Sequence, residues 1–180
     1  RERQTGTFRR LMTMPVSPVT LLAGKVAAYV AVCMLQFVVM LGIGAFLLPL
    51  VGTSGLVVGR GEGPAVAAVA LAAALAATGY GMMIGTLSRS YEQASMVGAV
   101  SIVIAAALGG VMIPVYVMPR FMQELSVVSP LAWGLNAFQD VFVREGTLRA
   151  AAPELMYLSI FFLLTIMIAW LALRKSRSGD

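Results

Sequence analysis

The sequence predicts an all-α membrane protein with four transmembrane helices, an N-terminal amphipathic helix and a pair of short helices between the third and fourth spans. Two observations carry that expectation. Four stretches, Val26 to Gly59, Gly63 to Ser88, Gln93 to Pro119 and Leu155 to Leu173, contain no charged residue. Each is long enough to cross a bilayer, because a helix rising about 1.5 Å per residue needs roughly 20 apolar residues to cross a core of about 30 Å. One charge at mid-span costs about 2.5–3.5 kcal/mol on insertion scales, so four clean gaps reflect selection against it. The second observation is composition. Mean hydropathy is +0.89, with 59% hydrophobic and 12% charged residues, whereas a soluble domain has about a quarter of its residues charged.

The chain reads as a single transmembrane domain over 1–180, and its elements follow in order. Residues 1–18 are polar and basic. Within 4–14, Phe8, Leu11 and Met12 recur at i, i+3 and i+4, while Arg9, Arg10 and Thr13 face elsewhere, the pattern of a short amphipathic helix. Such a helix either lies on a membrane surface or docks into a groove of a partner. Pro15 and Pro18 end it before a first span over 19–50. Lys25 stands early in that span, where its stem can snorkel the ammonium to the headgroups.

A glycine-rich hairpin returns the chain to an alanine-rich second span over 64–88, which closes on Gly79, Gly81 and Gly85. Gly81-Met-Met-Ile-Gly85 is a small-xxx-small pattern, expected to mark close helix packing. A short turn through Arg89 precedes the third span, 92–114, which is disturbed at Gly109-Gly110 and Pro114. Residues 115–150 form outer helices. Phe121, Met122 and Leu125 share one face, then Ser129-Pro130 breaks the run, and Leu131, Leu135, Phe138, Val141 and Phe142 repeat at helical spacing with Trp133 among them. Two short amphipathic helices split by a proline suit an interfacial or re-entrant element. The fourth span, 154–173, carries Trp170 near its end and leads to a basic tail, 174–180.

Basic residues near span ends set orientation. With the N-terminus inside, Arg1, Arg3, Arg9, Arg10, Lys25, Arg89, Arg174, Lys175 and Arg177 are cytoplasmic, against Arg60, Arg120, Arg144 and Arg149 outside. Nine against four places both termini of this segment in the cytoplasm. The +5 net charge then follows from topology and anionic lipid, with no need for nucleic acid.

Reactive chemistry is absent from the pattern. The chain has no histidine and one cysteine, Cys33, so we expect no disulfide, no metal site and no cofactor. No phosphate-cradling GxxxxGK[ST] motif occurs. Ser101 and Ser159 lie in apolar spans without a base nearby in sequence, and are expected to bond back to their own helix carbonyls. Carboxylates are missing from every span, which disfavours a direct ion relay. An intramembrane enzyme is accordingly disfavoured and no catalytic residue is assigned.

Two motifs resemble a known family. Arg1-Glu2-Arg3-Gln4-Thr5-Gly6-Thr7-Phe8-Arg9-Arg10-Leu11, then Pro15, then Gly24-Lys25, is similar to the cytoplasmic segment of type-2 ABC exporter permeases. Pro114-Val-Tyr-Val-Met118-Pro119, followed by Ser129-Pro130-Leu-Ala-Trp133, resembles the outer segment of the same family. Gln4 departs from the pattern, standing where the family usually has a second acid. The resemblance implies ATPase coupling for Glu2, Gly6, Thr7, Phe8, Leu11, Met12 and Pro15, a helix-start motif at Gly24 and Lys25, and a re-entrant motif at Pro114, Met118, Pro119, Ser129, Pro130 and Trp133.

What this implies is a non-catalytic permease subunit in the plasma membrane. It would move an amphiphilic or bulky substrate, such as a drug, a lipid or a lipid-linked glycan, outward with ATP hydrolysed by a cytoplasmic ABC ATPase subunit. A second permease subunit and membrane lipid are its other expected partners. Because the chain opens on Arg1 with neither a start nor a signal pattern, it is expected to be the C-terminal four-span portion of a longer permease. A non-transporting membrane scaffold or assembly factor is the alternative, and a neighbouring Walker-type ATPase gene separates the two.

Overall fold

The computed structural model describes residues 18–52, 59, 62–144 and 148–178. The proposed coupling residues Glu2, Gly6, Thr7, Phe8, Leu11, Met12 and Pro15 lie outside the described residues. Within them, every regular element is helical. Four helices are long and apolar enough to cross a membrane, Leu22–Leu50, Gly63–Leu87, Tyr91–Leu108 and Ala152–Lys175, and the chain is a multi-pass α-helical membrane protein.

Helix α1, Pro18–Gly42, continues through a π-helical turn, Ile43–Leu47, into a last turn, Leu48–Leu50. The cause is Pro49. It has no N–H to give and its ring crowds the carbonyl four residues back, and the turn before it widens so that the Leu48 N–H reaches the Ile43 carbonyl. Helix α2, Gly63–Leu87, starts on Pro64 in its first turn. Just before it, the Gly59 N–H donates to Glu62 Oε2 at 2.9 Å.

Helix α3, Tyr91–Leu108, opens on a reciprocal cap. Ser90 Oγ accepts from the Gln93 N–H at 3.1 Å, and Gln93 Oε1 accepts from the Arg89 N–H at 2.8 Å, so a two-way exchange of the capping-box kind fixes a very tight turn. The helix was expected to reach 114 but stops at Leu108. Gly110 takes φ +80°, and the Val111 N–H bonds back to the Ala106 carbonyl, a glycine stop of the Schellman kind. A 3-10 turn, Val115–Val117, leads to α4, Arg120–Ser126, and α5, Pro130–Phe142. Helix α6, Ala152–Ser178, runs past 173 and takes the first residues of the basic tail into the helix. There Arg174 stacks over the Trp170 ring at 5.4 Å, and cations at a helix C-terminus complement its dipole.

The core is α2 against α6. Residue numbers rise together along the pair, so the two helices run parallel. Ala65, Val66 and Val69 meet Ala151 and Leu155; Ala72 and Ala76 meet Leu158 and Phe161; Gly79 meets Phe162 and Thr165. Lipid is as apolar as leucine, so what holds the helices together is close dispersion contact, which small residues permit. Helix α1 joins through Phe37 and Leu41. Helix α3 stands apart and buries no residue of its own.

The expected Gly81–Gly85 packing pair is a correction. Both positions are exposed, and among the described residues a Cβ at either would meet nothing within 4 Å, whereas Gly79 makes the close approach. Gly81 lies about 200° around the helix from Gly79, so both cannot face α6. Ser101 and Ser159 do bond to their own helices, Ser101 Oγ donating to the Val97 carbonyl at 2.6 Å and Ser159 Oγ to the Leu155 carbonyl at 2.7 Å.

Candidate functional site

The motif residues between 114 and 133 build a helical hairpin wedged into the bundle. Pro114 precedes the 3-10 turn, Met118 is buried, and Pro119 is the N-cap of α4. The leg is tied by its own side chains: Gln123 Nε2 donates to the Met118 carbonyl at 2.7 Å, and Ser126 Oγ to the Gln123 carbonyl at 2.7 Å. Residues 127–129 form the tip, and Pro130 opens α5 with its fixed φ in the first turn.

Ser129 occupies the N-cap of α5 yet makes no capping bond. Its Oγ donates to the Ala105 carbonyl in the last turn of α3, at 2.9 Å. The same carbonyl accepts from the Gly109 N–H at 2.7 Å. Gly109 is required by this approach, because a Cβ there would stand 2.9 Å from the Ala132 nitrogen and 3.0 Å from Ser129 Oγ. Trp133 closes the tip from inside, its Nε1–H donating to the Val127 carbonyl at 2.7 Å. Its ring lies 5.5 Å from Tyr157 and 6.3 Å from Phe161, packed on Ala72, Ala76 and Leu158.

Those contacts fix the depth of the tip. Ala72 and Ala76 lie roughly 14–20 Å along α2 from Gly63, about half the thickness of a hydrocarbon core. The far end of α5 is level with the helix ends: Ala137 and Val141, both without exposed surface, pack on Ala65, Val66, Val69 and Ala151. Phe138 stacks between Phe37 at 5.6 Å and Phe142 at 6.1 Å. With Ser129 on Ala105 and Trp133 on its own tip turn, both polar groups are satisfied inside an apolar setting, the condition for irregular backbone at that depth.

Ser129, Pro130 and Trp133 thus come together at the tip, while Pro114, Met118 and Pro119 sit on the approaching leg. Gly24 and Lys25 belong to α1 and take no part in the hairpin. A Cβ at Gly24 would meet nothing within 4 Å, so no contact in the described chain demands glycine there. Lys25 is half-buried.

Sequence reasoning missed two features. Asp140, on the buried side of α5, pairs with Arg144 one turn on; the i, i+4 spacing of opposite charges was the available signal. Thr78 on α2 and Thr165 on α6 are buried hydroxyls. Thr165 Oγ1 lies 2.9 Å from both the Phe161 and Phe162 carbonyls, whereas the buried Thr78 hydroxyl has no partner among the described residues.

The fold and hairpin define a class: a polytopic helical membrane protein carrying a broken helical element inserted into its bundle. Residues 1–143 match the sequence model of the ABC-2 type transporter family, and the chain belongs to that family. It is 25% identical over 150 residues to the probable multidrug ABC transporter permease YbhR of Escherichia coli (strain K12), covering 82% of this chain and 38% of YbhR. It is 26% identical over 139 residues to the linearmycin resistance permease protein LnrN of Bacillus subtilis (strain 168), covering 77% of this chain and 34% of LnrN. The chain therefore spans little more than a third of the length of these curated relatives. No solved structure matches it.

Proposed function

We propose that this chain forms part of the membrane pathway of an ATP-binding-cassette exporter and is itself non-catalytic. The observation that carries the reading is the family match over 1–143, which takes in the amphipathic opening, three spans and the hairpin tip together. ATP is hydrolysed on a separate cytoplasmic ABC ATPase subunit, and a second permease subunit completes the pathway. The cargo class is amphiphilic or bulky, a drug, lipid or lipid-linked glycan. That class is supported by the resistance and multidrug names of the relatives and by spans free of charge over their apolar cores. In this reading the 1–18 segment and the C-terminal tail lie on the cytoplasmic side of the plasma membrane, which the nine-to-four distribution of basic residues supports.

In this reading residues 4–14 form the coupling helix, with Phe8, Leu11 and Met12 seated in a groove of the ATPase. Each apolar side chain so buried contributes about 1.5–3 kcal/mol. Leu11→Asp therefore weakens ATPase association roughly ten- to a hundredfold and abolishes export, while membrane insertion is unaffected because the site lies outside every span. Co-purification with the ATPase, substrate-stimulated ATP hydrolysis in proteoliposomes and membrane fractionation measure the three quantities. Normal ATPase binding and normal export in Leu11→Asp refute the coupling assignment and leave 4–14 as a surface helix.

A further inference from the structure

We propose that the first turn of α5 is a mechanical link between α3 and the α2–α6 pair, with Ser129 and Trp133 as positioning residues at its two fastenings. Among the described residues, helix α3 buries none of its own and makes its larger contacts with α2, α4 and α5. Its start is held by the tight Ser88–Ser90 turn, and its distal end is held by the hairpin.

The first fastening is Ser129. A serine at an N-cap ordinarily accepts from a backbone N–H of the first turn. Here it makes no such bond and instead donates to the Ala105 carbonyl of α3. A hydroxyl in an apolar interior has few other partners, so the bond persists. Gly109 lets the two backbones close to this distance, and any side chain there would meet Ala132 and Ser129. The second fastening, four residues on, is Trp133. Its indole N–H locks the tip turn through Val127, and its ring rests on α2 at Ala72 and Ala76 and on α6 at Leu158.

A displacement of the distal end of α3 away from α2 and α6 must therefore either break the Ser129–Ala105 bond or draw the hairpin along and unseat Trp133. The tilt of α3 and the depth of the hairpin are one coordinate. This inference rests on the packing alone and does not depend on the export reading.

The test is a distance measurement between nitroxides at Leu71 on α2 and Ile102 on α3, both exposed, in a Cys33→Ser background. The assembled protein is held in lipid nanodiscs and diluted with unlabelled copies. Ser129→Ala is expected to raise the longer-distance population about 2- to 12-fold, the equilibrium effect of one neutral hydrogen bond, and Ser129→Thr, which keeps the hydroxyl, to restore the parent distribution. Gly109→Ala, which wedges a methyl into the same joint, is expected to act like Ser129→Ala. A parent-like distribution in Ser129→Ala overturns the proposal, and so does an equal shift in Ser129→Thr. If Ser129→Ala does not insert, Gly109→Ala decides the question by the same criterion.

Discussion

Gly79→Ala is the sharpest perturbation of the core, because its cost can be separated from the general effect of adding a methyl to a helix. A Cβ at Gly79 would lie 2.5 Å from Thr165 Oγ1, 2.8 Å from Phe162 Cδ2 and 3.4 Å from the Phe162 carbonyl oxygen. None of these gives way easily. Thr165 is β-branched and its hydroxyl is engaged with carbonyls of its own helix, and the Phe162 ring is attached within the same turn. Relief requires α6 to move off α2, and overpacking of this kind costs about 1–3 kcal/mol. The same substitution returns about 0.5–1 kcal/mol by replacing glycine inside a helix. Gly81→Ala and Gly85→Ala carry that second effect alone, since no described residue lies within 4 Å of a Cβ at either. The difference between Gly79→Ala and Gly81→Ala therefore isolates the overpacking, about 1–3 kcal/mol in favour of Gly81→Ala. Reversible unfolding in mixed micelles, followed by tryptophan fluorescence, measures it. Equal stability of Gly79→Ala and Gly81→Ala would refute the parallel α2–α6 contact as described.

The remaining predictions are simpler. Thr78→Val, which replaces an unpartnered buried hydroxyl with a methyl of similar size, leaves stability unchanged or raises it by up to about 1 kcal/mol in the same unfolding assay; a loss of more than that means the hydroxyl has a partner. Single cysteines at Ser90 and Ser176 are expected to react with an impermeant thiol reagent from the cytoplasm, and ones at Ser54 and Thr147 from outside. Labelling of 54 and 90 from the same face contradicts the four-span arrangement.

The four long helices were legible because insertion into lipid is decided segment by segment. A charge-free run needs no partner to declare itself, and the caps that bound the runs, Ser90 with Gln93 and the prolines at 64 and 130, act within a few residues. Partner choice was not legible. Helix α2 is apolar and alanine-rich around its whole circumference, so no stripe marks the side that meets α6. Three glycines within two turns, at 79, 81 and 85, gave no means of telling the packed one from the exposed pair. The hairpin was legible as two short helices split at Pro130. That the buried side of α5 carries Ala132, Ala137 and Asp140 beside Val141 was hidden, because the large residues drew attention to the half-exposed Leu131, Leu135 and Phe138. The direction of the Ser129 hydroxyl belongs to tertiary structure, since in sequence it reads as an ordinary helix cap.

The parallel pairing of α2 with α6 also dictates when the protein can become itself during synthesis. About 86 residues separate Gly79 from Thr165, and at about 5–20 residues per second their translation takes roughly 4–17 s. Through that interval α2 resides in the bilayer with the side that meets Leu158, Phe162 and Thr165 not yet covered by α6, while α1, made earlier, can already pack on it through Phe37 and Leu41. The seat of the hairpin is incomplete in that interval too, because the floor under Trp133 includes Leu158 of α6 as well as Ala72 and Ala76 of α2. The α2–α6 core thus closes only after α6 has been made, and until then the nascent chain presents insertases and quality-control proteases with an incompletely packed membrane intermediate.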